Sequence, residues 1–82
     1  MTPEETVKLI TNEENNALEL EASRVVYLPD DELPICYVGY MKHIDTRLRY
    51  HQIVKMSTTT ARSLANALLI QTNVADSPPP SF

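Results

Sequence analysis

The sequence contains few of the residues that stabilise small secreted or metal-binding domains. Its 82 residues include one cysteine, one glycine and no tryptophan. A single cysteine excludes an internal disulfide framework, and a single glycine excludes a glycine-rich phosphate loop. No apolar run approaches the roughly 20 residues of a membrane-spanning helix, and the acidic N terminus does not resemble a signal peptide. We therefore expect a small cytoplasmic protein without a metal or a cofactor.

The charges are distributed unevenly along the chain, whose net charge is −4. Residues 1–32 contain nine acidic and two basic side chains, whereas residues 33–82 contain five basic and two acidic ones. Either the two parts neutralise each other across a sheet, or the second part presents a surface for an anionic ligand. The isoelectric point near 4.9 makes nucleic-acid binding an unfavourable hypothesis.

The first 16 residues are compatible with two structures. Thr2, Pro3 and Glu5 form the pattern of a helix start, with Thr2 as the N-cap and Glu5 completing a capping box. The β-rich residues that follow, 6–11, are also typical of a short edge strand. The sequence therefore leaves helix and edge strand open for this segment.

Residues 17–28 and 35–56 have the alternation of antiparallel strands. The first segment predicts one strand with a single buried face. The second predicts a hairpin with a three-residue loop, residues 45–47, which would place Val38 opposite Val54 and Tyr40 opposite Gln52. In this register the even-numbered residues form a nearly continuous apolar side facing the core, and the odd-numbered residues form the outer side.

Ser57 begins a segment with helical periodicity. It is a favourable N-cap, and the spacing of Ala61, Leu64, Ala65 and Leu68 predicts a helix over residues 58–72, packed on the even-numbered side of the sheet. The predicted fold is thus α+β, an antiparallel meander of three or four strands followed by one C-terminal helix. Its single domain would cover residues 17–74, and the proline-rich residues 75–82 would form a disordered tail.

The strand-to-helix junction resembles a known family. Residues 53–57, Ile-Val-Lys-Met-Ser, and the positions of Ala61, Arg62, Leu64, Ala67 and Leu68 are similar to the closing segment of small bacterial and phage proteins catalogued as a domain of unknown function. Where that family has Met-Ser-Pro, this chain has Met56, Ser57 and Thr58. The resemblance implies a sheet covered by a C-terminal helix and no catalytic residues. It also implies a phage-type role in modulating the host or its defences, in the host-cell cytoplasm.

Two apolar surfaces have no partner in the predicted fold. One is a second helical row, formed by Ala67, Ile70 and Val74, and the other is the odd-numbered side of the sheet. A domain of about 60 residues buries only about 60% of its unfolded surface, so uncovered apolar area is difficult to tolerate. We predict a homodimer or a larger oligomer with this helical row in its interface. The alternative is that the N-terminal segment covers one of the two surfaces.

The candidate binding residues lie on the odd-numbered side of the predicted hairpin. Guanidinium and ammonium groups beside an aromatic ring can hold an anion, and Gly39 at the centre of this side would permit the close approach of a ligand. The predicted cluster consists of Tyr37, Met41, His43, Arg49, His51 and Lys55. In the alternative interpretation, Arg49 and Lys55 pair with Glu19 or Glu21 on the first strand.

Catalysis and metal binding are not predicted from this cluster. Cys36 lies on the even side, away from both histidines, so we expect a buried structural cysteine. The two histidines lack a third ligand, and the side offers no activated nucleophile or pair of carboxylates. The sequence favours a non-enzymatic, homo-oligomeric module that binds a protein partner. The alternative is a protein that binds a nucleotide-like anion between protomers.

Overall fold

A computed structural model describes residues 1–77 of the chain. Its main elements are α1 (Pro3–Asn12), β1 (Leu18–Tyr27), β2 (Ile35–His43), β3 (Arg49–Met56) and α2 (Thr58–Asp76). The three strands form one antiparallel sheet in the order β1-β2-β3, and a single 3-10 turn, Glu14–Asn16, precedes β1. The predicted α+β fold, with a three-stranded antiparallel sheet and a C-terminal helix, is confirmed.

The chain forms two compact units, which we describe separately. The first unit consists of Met1–Val25 and Tyr37–Val54 and therefore contains α1 and most of the sheet. The second unit consists of Val26–Cys36 and the described residues from Lys55 onward, which include α2. Residues 78–82, most of the predicted proline-rich tail, lie outside the described part of the chain.

The N-terminal segment is a helix rather than an edge strand. The Thr2 hydroxyl accepts a hydrogen bond from the Glu5 backbone N–H at 3.1 Å, and the Glu5 carboxylate accepts one from the Thr2 N–H at 3.3 Å. Pro3 occupies the first turn, where a missing N–H carries no cost, and Glu4 and Glu5 complement the helix dipole. The capping box predicted from the sequence is therefore present, and residues 6–11 are helical despite their β-rich composition.

The register predicted for the β2–β3 hairpin is wrong by one residue. The His43 N–H donates to the Leu48 carbonyl at 2.8 Å, and the Arg47 N–H donates to the His43 carbonyl at 2.8 Å, so the loop contains four residues, 44–47. Farther along the hairpin, the rings of Tyr40 and His51 are 6.5 Å apart, as this register requires. Even-numbered residues of β2 therefore share a side with odd-numbered residues of β3, and the predicted common parity does not hold.

Two local features characterise the four-residue loop. Arg47 adopts a left-handed backbone conformation with φ 64°, which closes the loop but is uncommon for a residue other than glycine. The Nδ1 atom of His43 accepts hydrogen bonds from the backbone N–H groups of Asp45 and Thr46, at 3.2 and 3.1 Å. The imidazole therefore satisfies two backbone donors of the loop.

Replacing Arg47 with glycine tests this loop. Because glycine reaches positive φ without steric cost, we expect Arg47→Gly to raise the free energy of unfolding by about 0.5–1 kcal/mol in urea denaturation. The control Arg49→Gly, in the extended backbone of β3, should lower it. A loss of stability in Arg47→Gly would contradict the assigned loop conformation.

Helix α2 begins where the sequence predicts and ends four residues beyond its predicted end. The Ser57 hydroxyl accepts a hydrogen bond from the Thr60 N–H at 3.1 Å and caps the first turn. The predicted end at Thr72 is wrong, since the helix continues to Asp76. Ser77 is extended, and it precedes a proline, which disfavours helical backbone in the residue before it. Ala75 and Asp76, assigned to the tail from sequence, thus belong to the helix.

Few apolar side chains are buried in a single chain. Among the hydrophobic residues that the structure describes, Cys36 alone is buried, at 7% exposure, in agreement with its prediction as a buried cysteine. On α2, by contrast, Ile70 is 60% and Val74 is 63% exposed. Within residues 1–77, none of the helices has the length and apolar character to cross a membrane.

Candidate functional site

The first unit presents a surface of paired charges. Two salt bridges connect side chains of β1 with those of the other strands: Lys42 contacts Glu19 at 3.2 Å, and Arg49 contacts Glu21 at 2.9 Å. Since alternate residues of a strand share a side, this surface also contains Tyr40 and His51. We call it the charged face; its members are Glu19, Glu21, Tyr40, Lys42, Arg49 and His51.

The guanidinium of Arg49 is held by both oxygens of one carboxylate. Its Nε donates to Oε1 of Glu21 at 2.9 Å, and its Nη2 donates to Oε2 at 3.4 Å. This two-point contact fixes the orientation of the guanidinium more strongly than a single ion pair would. Two of the five N–H donors of the guanidinium are therefore directed at Glu21.

The predicted binding cluster is divided in the structure. Arg49 and His51 lie on the charged face, whereas Tyr37, Met41 and His43 alternate with Tyr40 along β2 and lie on the opposite side. The premise that all six cluster residues share one side is wrong, because the four-residue loop shifts β3 relative to β2. The sixth residue, Lys55, belongs to the second unit.

The space beside Gly39 is occupied by side chains of its own strand. A Cβ atom built on Gly39 would lie 2.6 Å from Cε of Met41 and 3.0 Å from Cε1 and the hydroxyl oxygen of Tyr37. Both side chains are half-buried. Gly39 thus accommodates the packing of Tyr37 and Met41 over the strand, and these neighbours fill the place that the sequence suggested for a ligand.

In the second unit, Lys55 is bound to the loop between β1 and β2. Its ammonium contacts Oδ2 of Asp31, whose Oδ1 also accepts the Leu33 N–H at 3.0 Å. The Leu28 N–H donates to the Pro34 carbonyl at 2.8 Å and closes the same loop. Lys55 therefore stabilises the conformation of an acidic loop.

These contacts shift the pKa values of the groups involved. The hydrogen bond from Arg49 lowers the pKa of Glu21 below its ordinary value, and Glu21 raises the pKa of Arg49. The hydrogen bond from Lys55, followed by that from the Leu33 backbone, lowers the pKa of Asp31. All these carboxylates are ionised at neutral pH, so the paired charges persist there.

Several residues of these ion pairs were not predicted, although the charge distribution along the sequence indicated the pairing. Glu19, Glu21, Tyr40, Lys42 and Asp31 were not among the predicted binding residues. The contrast between an acidic first part and a basic second part does predict pairing across the strands, and Arg49 does pair with Glu21. The partner of Lys55 is the loop residue Asp31, which strand alternation could not identify.

The described residues do not contain a group of three or more histidine, cysteine or acidic side chains that could hold a metal ion.

No family model, curated protein or solved structure matches the chain. The resemblance of residues 53–68 to a family of unknown function therefore stays a prediction. The fold and the paired charges define the class of this molecule, a small α+β protein in which Lys42, Arg49 and Lys55 are paired with its own carboxylates.

The two carboxylate contacts can be measured separately by NMR titration. We expect Asp31 to titrate below its ordinary pKa of 3.8 and Glu21 below 4.5. Because both pKa values are lowered by folding, the stability they contribute is present above those ordinary values and is lost as the pH falls through the folded-state values.

Each of the two ion pairs serves as a control for the other. Lys55→Met should return the pKa of Asp31 toward 3.8 and leave Glu21 unchanged, and Arg49→Met should do the reverse. Ordinary pKa values for both carboxyls in the unmodified protein would show that neither pairing persists in solution.

Proposed function

We propose that this chain is a non-enzymatic binding module that functions as a homo-oligomer. The observation that carries the proposal is the exposure of apolar side chains on α2. Leu64, Leu68, Ile70 and Val74 are 46–63% exposed in a single chain, although they occupy both apolar rows of the helix. A helix with such a surface is normally buried against other protein.

The charge distribution on α2 supports the same interpretation. In its 19 residues the helix carries only Arg62 and Asp76 as charged side chains, one near each end. Residues 63–75 are therefore uncharged, within a chain whose net charge is −4. Two copies can approach each other along this segment without bringing like charges together.

Burial of these side chains is large enough to drive association. Complete burial of a leucine, isoleucine or valine contributes about 1.5–3 kcal/mol, so covering the remaining exposed part contributes about 1–2 kcal/mol for each residue. Several such residues on each helix, in every copy, contribute enough to offset the 4–15 kcal/mol or so that association costs. The interface row predicted from the sequence, Ala67, Ile70 and Val74, is part of this surface.

The geometry favours a protein-binding module over an anion-binding one. Arg49, Lys42 and Lys55 each have a carboxylate partner, and the residues of the predicted anion site lie on different sides of the sheet. An anion at Arg49 or Lys55 would compete with Glu21 or Asp31 for the cation. The half-buried pair Tyr37 and Met41 offers a more suitable contact surface for a protein partner, since it combines aromatic and flexible apolar groups.

Substitution of Ile70 tests the proposal. We expect sedimentation equilibrium to give the native protein a mass at least twice that of the 9.3 kDa chain. Ile70→Asp should shift the mass toward the monomer, because it places a carboxylate on the apolar surface. Arg62→Asp introduces a carboxylate on the polar side of α2, farther from Ile70, and should leave the mass unchanged.

Circular dichroism of both variants verifies that the helix content is retained. A native mass of 9.3 kDa would refute self-association. An oligomer of unchanged mass in Ile70→Asp would exclude the predicted row from the interface.

A further inference from the structure

Gln71 is a polar residue enclosed by apolar neighbours on the surface of α2. The residues three and four positions away, which are its nearest neighbours on a helix, are Ala67, Leu68, Val74 and Ala75. One turn farther toward the N terminus, in line with it, lies Leu64. Gln71 thus occupies the middle of the apolar surface, between its two rows.

The other amide side chains of α2 have a different environment. Asn66 and Asn73 lie roughly 140–160° around the helix from Gln71, given 3.6 residues per turn. Arg62 and Asp76, the charged residues, lie on that same polar side. Leu69, which is 60% exposed, also lies on that side, so the helix is not strictly divided into polar and apolar sides. Gln71 differs from Asn66 and Asn73 because all of its neighbours three and four positions away are apolar.

Covering the apolar surface removes water from the Gln71 amide. A buried amide without hydrogen-bond partners costs about 1–3 kcal/mol, so whatever covers the surface must supply a donor and an acceptor at this point. A second glutamine amide supplies both, since each amide carries one carbonyl and one NH₂ group. A symmetric pair of chains brings identical residues together at its two-fold axis.

We propose that α2 of one chain packs against α2 of a second copy with the two Gln71 side chains opposite each other, joined by reciprocal amide hydrogen bonds. The inference rests on the proposed self-association and specifies its geometry. The uncharged surface of residues 63–75 forms the contact, and Gln71 fixes the alignment of the two helices. Polar residues within apolar helix interfaces have this aligning effect in coiled coils.

Charge complementation at position 71 tests the pairing. In Gln71→Glu the two helices would bring two carboxylates together, and in Gln71→Lys two ammonium groups. We expect each variant alone to associate at least about tenfold more weakly than the native chain, because like charges oppose each other in a partly desolvated contact. Mixing the two variants should restore association, because each glutamate then faces a lysine.

Native mass spectrometry of the mixture, with one variant labelled with nitrogen-15, measures the mixed species directly. We expect mixed pairs to exceed the statistical half of all pairs. The matched control is the combination of Arg62→Glu with Arg62→Lys on the polar side, for which the native affinity and a statistical mixture are expected.

The outcomes separate this inference from the proposed function. If the native chain is an oligomer and Ile70→Asp dissociates it, but neither Gln71 variant weakens it, the Gln71 pairing is refuted while self-association stands. Weakening of both variants without recovery on mixing would place Gln71 in the interface against another residue, and would also refute the pairing. A monomeric native chain would refute both proposals.

Discussion

The four-residue loop between β2 and β3 determines which side chains of the hairpin share a side. His43 accepts two backbone N–H groups of this loop through Nδ1, and Arg47 closes it in a left-handed conformation. With one residue fewer in the loop, every side chain of β3 would face the other way relative to β2. The pairing of Arg49 with Glu21, and therefore the charged face, depends on this register.

The elements themselves could be predicted because their signals are local. Thr2 and Glu5 define the start of α1, Ser57 defines the start of α2, and period-two alternation defines the strands. The hairpin register could not be predicted, since nothing in the composition of residues 44–47 shows that an imidazole accepts their N–H groups or that an arginine adopts positive φ. A three-residue loop places more apolar residues on one side of the hairpin than a four-residue loop does. This alternation was the wrong criterion for choosing the register, because few side chains of the sheet are buried.

The site was predicted less well than the fold because it also depended on the hairpin register. Once the register shifts by one residue, a cluster assembled from both strands divides between the two sides of the sheet. Tyr37 and Met41 then pack over Gly39, while Arg49 is engaged by Glu21. The balance of charges was a better guide than the cluster, because an acidic first part and a basic second part indicate ion pairs without specifying which residues meet.

The apolar surface of α2 connects this fold to its proposed function. A single chain leaves Ile70 and Val74 largely exposed, and the uncharged residues 63–75 offer a surface that a second copy with the same net charge can approach. Three cations elsewhere, Lys42, Arg49 and Lys55, are paired with carboxylates of the same chain. The proposed self-association through α2 would give the exposed apolar side chains of the helix a physical reason.

The melting temperature as a function of protein concentration tests this account most directly. A protein that is stabilised by association melts at a higher temperature when it is more concentrated, because the partner acts as a ligand of the folded state. Over a hundredfold range of concentration we expect a rise of several degrees. A melting temperature independent of concentration would contradict the account, since it would mean that the chain folds alone with the apolar surface of α2 in water.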